Sequence, residues 1–212
     1  MRALVTGASR GIGAALVTEG RSRGHEVLGA TRGVGRIPGD IVFDVTDPAA
    51  QAAAARSMGP IDLLVCNASV YADKGRGLPD LTVEDLNATF AANVTGVFLT
   101  VQAQRANMSA GGRIAIIASR MGSSHSASGN PFAYRASKAA AINLGLNLAQ
   151  ALHADAIAVG IYHPGWVRTD MGGASADISV EAAAQGLWDR FTALDMGRTG
   201  CFEAYDGETI PI

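Results

Sequence analysis

Ser119, Tyr134 and Lys138 are the residues of this chain whose types and spacing could do chemistry. Tyr134 and Lys138 lie in the stretch Asn130-Pro-Phe-Ala-Tyr134-Arg-Ala-Ser-Lys138, which reads as a helix start, with Asn130 as N-cap and Pro131 at the first helical position. Four residues apart on a helix, the two side chains stand one above the other on a single face. A phenol is a poor acid or base near neutrality, because its ordinary pKa is about 10. An ammonium group one turn away favours the phenolate and draws that pKa toward the working range. Ser119 ends the apolar run Ile114–Ala118 and can offer a hydroxyl to the same substrate oxygen. The chemistry implied is proton transfer to or from an oxygen. A Tyr-x-x-x-Lys pair also occurs as an ordinary exposed neighbour pair, so its meaning depends on the elements that position it.

Those elements belong to one α/β domain spanning residues 1–212. The composition, 48% hydrophobic with 26 glycines, suits close packing of helices on a sheet. The formal net charge of −2 and the lack of a basic block exclude a nucleic-acid partner from the expectations. No apolar run approaches the roughly 18 residues that span a bilayer, so no membrane partner is expected. The chain enters a strand pattern at Arg2–Thr6 without the apolar core of a signal peptide, and a cytoplasmic location is expected. Cys66 and Cys201 have no ligand-spaced His or Cys beside them; both read as buried thiols, and neither a metal site nor a disulfide is expected.

In chain order, Thr6-Gly7-Ala8-Ser9-Arg10-Gly11-Ile12-Gly13 joins a strand to a helical pattern over Ala14–Arg23. Glycines there permit a tight turn and close backbone approach, and the helix N-terminus offers free N–H groups to a phosphate. The alternative is a plain glycine-rich βα turn. A second strand, His25–Ala30, ends in Thr31-Arg32 with no acid to hold a ribose 2′-hydroxyl. Arg32 and Arg10 could instead meet a 2′-phosphate, which favours NADP(H) over NAD(H); otherwise they are two solvated arginines. Gly33–Gly39 is too short for a crossover helix before the third strand, Asp40–Asp44. At its end, Asp44 and Val45 could border an adenine, or Asp44 could cap the helix entered at Asp47-Pro48. The buried run Asp62–Cys66 delivers Asn67 and Ala68 to the edge where ligands sit in open sheets. Thr82–Asp85 has capping spacing for a long helix over Leu86–Met108 that contains Asn93, a polar group that needs partners if buried. After Ser119, the loop Arg120–Gly129 should border the substrate; His125 in it reads as a solvated histidine or a ligand contact. A helix from Pro131 to about His153 and a strand over Ala156–Tyr162 follow. Then come Pro164, Gly165, Val167 and Thr169, a helix over Val180–Leu194 and a strand near Cys201–Glu203.

Together, the Thr6–Gly13 turn, Asn67-Ala68, Ser119 with Tyr134-x-x-x-Lys138, and Pro164-Gly165 with Val167 and Thr169 resemble the short-chain dehydrogenase/reductase family over essentially the whole chain. The His163–Gly173 run and the Tyr205–Pro211 ending are similar to the small branch that includes the C-factor and sniffer-type carbonyl reductases. The resemblance implies a single-domain Rossmann-type, doubly wound parallel sheet in three α/β/α layers, with about seven strands and a shortened crossover after the second. It implies hydride transfer between NADP(H) and a carbonyl or alcohol substrate. Tyr134 is then the general acid/base, Ser119 the oxygen's hydrogen-bond partner and Lys138 the group that tunes Tyr134 and binds ribose, while Asn93 holds a relay water through its backbone. Gly7, Ser9, Arg10, Gly11, Ile12, Gly13, Arg32, Asp44, Val45, Asn67, Ala68, Pro164, Gly165, Val167 and Thr169 join Tyr134 and Lys138 in holding the cofactor. The C-factor likeness also keeps open a regulatory dinucleotide binder with little turnover, whereas Lys138 and the glycine turn oppose halohydrin dehalogenation. Ser69 stands where the family carries glycine, which strains the backbone if φ there is positive. A homodimer is expected through a face including Val101, Ala141, Leu144 and Leu148, a monomer being the alternative.

Overall fold

The computed structural model describes residues 1–33 and 40–212. Its seven strands form one parallel sheet in the order β3-β2-β1-β4-β5-β6-β7. They are β1 (Arg2–Thr6), β2 (Glu26–Thr31), β3 (Ile41–Val42), β4 (Leu63–Cys66), β5 (Arg113–Ile117), β6 (Ala158–His163) and β7 (Phe202–Ala204). The helices are α1 (Gly11–Ser22), α2 (Pro48–Met58), α3 (Val83–Phe90), α4 (Gly96–Gln104), α5 (Phe132–Ala151) and α6 (Val180–Ala193). Parallel strands covered on both faces must be apolar on both, which is why their sequences run without polar alternation. Leu4, Leu64, Ile114, Ile116 and Val159 pack with residues of α2, α4 and α5. Their neighbours Ala3, Val5, Leu63, Val65 and Ala115 pack with Leu16, Val17, Leu187, Trp188 and Phe191 of α1 and α6. Trp188 is fully buried on that second face, and its Nε1 donates to Leu16 O at 2.8 Å. A Cβ added at Gly20 would lie 2.2 Å from the indole, so glycine is required there.

Most expected elements occur within a residue or two of their expected bounds, and the structure corrects four readings. The third strand is two residues long, not five. Asp47, not Asp44, caps α2, accepting from Ala49 N and Ala50 N; Asp44 accepts from Thr46 N and Thr46 Oγ1, closing the turn before it. The long helix expected over Leu86–Met108 is α3 and α4 joined by a π turn, Ala91–Thr95. Pro131 is not the first residue of α5 but its cap, in extended conformation, and Asn130 does not cap it. The expected absence of a crossover helix over Gly33–Gly39 falls on residues 34–39, outside the described residues.

Two further expectations change. Among the described residues, Ala156 is the one non-glycine with positive φ, so Ser69 carries no strain of that kind. Val101 and Ala141, taken as part of an outward dimer face, are buried at 4% and 1% exposure within the monomer, Val101 in the core beneath the sheet. Leu144 and Leu148 are half-buried against the same core. Among the described residues no helix is long and apolar enough to cross a membrane.

Candidate active site

In a parallel sheet all the strands end on one edge, and the segments leaving that edge converge there. At the end of β1, Gly7 and Gly11 take positive φ, +68° and +55°. A Cβ at Gly7 would lie 2.7 Å from Ala68 Cα, and one at Gly13 would lie 2.2 Å from Gly7 O, so the turn presses directly on the segment after β4. Asn67 locks that contact: its Nδ2 donates to Thr6 O and Gly7 O, while its own N–H donates to Thr6 Oγ1. The turn leaves the first residues of α1 with no side-chain cap and no acid in the first turn.

This edge opens into a cleft of about 1730 Å³, larger than the roughly 300–1,000 Å³ of a small-ligand pocket and suited to a dinucleotide with a second molecule. Every sequence-predicted site residue lines it except Asn93. Arg32, Asp44 and Val45 lie at one end with Thr31 and Thr46. Arg32 and the bonds from Thr46 hold the Asp44 carboxyl below its ordinary range, the Thr46 backbone N–H acting most strongly. Arg10 is exposed and reaches across to Asp170 in the segment after β6, Nη1 to Oδ2 at 2.5 Å. Pro164, Gly165, Val167 and Thr169 form that side, with Gly165 at φ +90°.

Ser119, Tyr134 and Lys138 meet at the other end, all of them buried. Ser119 Oγ accepts from Met121 N at 3.1 Å, and the hydroxyl also reaches Tyr134. Lys138 Nζ sits 5.5 Å from the centre of the Tyr134 ring and donates to Ile117 O at 2.9 Å. The sequence-based expectation for the phenol is corrected here. Burial raises the Tyr134 pKa well above its ordinary value; the Ser119 hydrogen bond opposes this without offsetting it, and Lys138 does not lower it. Low dielectric disfavours the charged form, so it also pushes Lys138 down, to about 8. Burial thus favours the neutral form of the Tyr134 phenol.

Asn93 lies behind the cleft wall, in the π turn. Its Oδ1 accepts from Ser69 Oγ and Val70 N, and its Nδ2 donates to Val70 O and Ser137 Oγ. The buried amide is thus fully satisfied, and Ser69 supplies one of its partners. His163 also lines the cleft; burial, and Arg120 nearby, push its imidazole down to about 4. His125 is exposed and does not line the cleft.

Sequence reasoning missed two neighbours of Tyr134. Tyr71 stacks on it with ring centroids 4.4 Å apart and an interplanar angle of 24°. Asp73, 1% exposed, accepts from Ala133 N at 2.7 Å and from Tyr134 N at 3.2 Å. No signal in the sequence pointed to Asp73, because Asn130 looked like a sufficient cap for the same helix.

Residues 1–178 match the short chain dehydrogenase family. The chain is 32% identical over 157 residues to the C-signal protein of Myxococcus xanthus, covering 72% of this chain and 93% of that one. It is 35% identical over 176 residues to the 3-oxoacyl-[acyl-carrier-protein] reductase MabA of Mycobacterium tuberculosis, covering 79% and 70%. A solved short-chain dehydrogenase/reductase from Burkholderia multivorans with bound NADP superposes with a TM-score of 0.90 at 29% identity, covering 100% of this chain and 99% of that one. With the seven-stranded parallel sheet and the convergent Ser, Tyr and Lys, these likenesses place the chain in the short-chain dehydrogenase family of oxidoreductases.

Proposed function

We propose that the protein is an NADP(H)-dependent oxidoreductase acting on a carbonyl or alcohol, with Tyr134 as general acid in reduction and general base in the reverse direction. The convergence of Ser119, neutral Tyr134 and charged Lys138 at one end of a dinucleotide-sized cleft carries this reading. The cleft suits the cofactor in three ways: the glycine turn exposes backbone to a phosphate, α1 brings uncapped N–H groups, and β2 ends in Thr31-Arg32 instead of an acid. The NADP bound to the similar Burkholderia multivorans protein supports the choice of phosphate form. When bound, NADPH supplies the hydride.

The protein's own groups do the rest. Tyr134 holds its proton at neutral pH and gives it to the substrate oxygen as negative charge develops there. The Ser119 hydroxyl accepts from Met121 N, which leaves its own proton to stabilise the same oxygen. Lys138 has three donors; one is spent on Ile117 O, and two remain for ribose hydroxyls and for stabilising the phenolate left after proton transfer. Arg32, Asp44 and Val45 border the adenosine, and Asn93 holds a relay water through its backbone. A panel of ketones and aldehydes followed by loss of NADPH absorbance tests the reading. Turnover faster with NADPH than with NADH is expected, whereas NADPH binding with no turnover of any carbonyl would overturn it.

A homodimer built on α4 and α5 is part of the proposal. The exposed large apolar residues of that pair are Phe98 and Phe132, so Phe98→Glu, not a change at Leu144, should yield a monomer. Light scattering decides it; a wild-type mass near 21.7 kDa removes the dimer.

A further inference from the structure

The segment Ser69–Lys74 leaves β4 with no regular structure, yet it is held at both ends. Val70 is fixed to the π turn, its N–H donating to Asn93 Oδ1 at 2.8 Å and its carbonyl accepting from Asn93 Nδ2 at 2.9 Å. Lys74 Nζ donates to Asp170 O and Met171 O, each at 2.9 Å, on the opposite lip of the cleft. Between these anchors lie the two residues that touch Tyr134, and they grip different parts of it. Asp73 accepts from the Tyr134 backbone N–H and from that of Ala133, the work an N-cap would otherwise do for α5. Tyr71 lies flat against the Tyr134 ring.

Placing a hydroxyl at the end of a tyrosine needs the backbone and both side-chain torsions fixed. A carboxylate on the backbone and a ring on the ring meet those two needs separately. We propose that Tyr71 and Asp73 are positioning residues for Tyr134, a clamp in which Asp73 sets where the phenol starts and Tyr71 sets where it points. The inference builds on the proposed role of Tyr134. A misplacement of about 1 Å at a reacting group can cost on the order of 100-fold in rate, so loss of either contact matters even when the fold survives.

The test uses four variants of the full chain, Asp73→Ala, Asp73→Asn, Tyr71→Ala and Tyr71→Phe, each labelled with 13C at the tyrosine ring carbon bearing the hydroxyl. Asparagine keeps an oxygen acceptor for the two N–H groups, and phenylalanine keeps the stack. The clamp predicts that the Tyr134 resonance, assigned by its loss in Tyr134→Phe, shifts or broadens in both alanine variants and returns near its wild-type position in Asp73→Asn and Tyr71→Phe. With a reducible carbonyl, kcat should fall about 10- to 100-fold in the alanine variants at temperatures where they remain folded. In the Asp73 variants the dissociation constant for NADPH should change less than about threefold, since Asp73 does not line the cleft. In the Tyr134→Phe background the same alanine changes should cost nothing further in kcat, because what they position is gone. Lowered melting temperature with an unmoved Tyr134 resonance would reduce both residues to structural roles and overturn the clamp. If no carbonyl turns over, the enzymatic reading fails, and the resonance alone decides whether the clamp exists.

Discussion

The helices on the two sides of the sheet bury different things. On the α1 and α6 side, the buried helical residues are glycine, alanine, leucine, valine, tryptophan and phenylalanine, with no polar or charged side chain among them. On the other side, the helices and the π turn bury Gln51, Asp85, Thr89, Asn93, Thr100, Gln104, Ser137 and Lys138. The first arrangement is a wall: contacts are many, non-directional and tolerant of small shifts. The second is closer to a jig, in which most of these buried polar groups hold a directional partner and so fix a geometry, Thr89 Oγ1 being an exception. Asn93 makes four such bonds, and Gln51 joins Val45 O to Thr100 Oγ1. Both faces carry an apolar core, but the buried polar groups that place side chains come from the α2, α4 and α5 side.

That division should break most visibly at Tyr134. Tyr134→Phe keeps the ring and its stack, so the melting temperature should move little while carbonyl turnover falls by about 1,000-fold or more, in the range of lost general acid catalysis. Retained turnover in a steady-state assay would mean that another group gives the proton. Trp188→Ala should do the reverse. Truncating an aromatic residue with 0% exposure costs about 3–5 kcal/mol, read by urea denaturation, with kcat per folded molecule unchanged. A large kcat loss in that variant would show that the two faces are mechanically coupled.

His163, at the cleft end of β6, sharpens the comparison through pH. Its folded-state pKa is pushed from 6.5 to about 4, so the unfolded chain takes up the proton first as pH falls. The corresponding stability is present above pH 6.5 and is lost as pH falls toward 4, a difference of about 3 kcal/mol. His163→Asn should flatten this acid limb, which urea midpoints at pH 7 and at about pH 4.5 would reveal. An unchanged limb would place the sensitivity elsewhere. The smallest expected effect is at the adenosine end, where Arg32 is exposed. Arg32→Asp should shift the ratio of NADPH to NADH affinity toward NADH by about 10- to 100-fold, the equivalent of about 1.5–3 kcal/mol for a hydrogen bond to a charged group. Nucleotide titrations monitored by fluorescence would measure it, and equal affinities in the wild type would remove Arg32 from that role.

The wall was largely legible in the sequence and the jig was not. Apolar runs such as Leu63–Cys66 announce buried parallel strands because both faces are dry, and the glycines of Thr6–Gly13 announce a turn because few other residues adopt it. Ser119, Tyr134 and Lys138 were found because two of them share a helix face. What failed was reasoning from nearest neighbours along the chain. Asn130 looked like the cap of α5, but the cap comes from Asp73, 60 residues earlier. Lys138 looked like the cause of an acidic phenol, but burial, which no local spacing reports, outweighs it. The outward face assigned to Val101 and Ala141 failed for the same reason: helical periodicity gives a stripe, not which neighbour covers it.

The π turn at Ala91–Thr95 has a consequence for how this chain tolerates change in length. A π turn holds one more residue than the α-helical turn it replaces. Deleting any one of those five residues would let α3 and α4 run on as a regular helix, an apparently mild repair. Because the wide turn absorbs its extra residue, the flanking helices would keep their relation, and the change would fall on the turn itself and on Asn93 within it. The side chain of Asn93 would leave Val70, and the anchored start of the loop that grips Tyr134 would go with it. Deletion of Val94, 25 residues before Ser119, should therefore disable the active site without removing any residue that lines it.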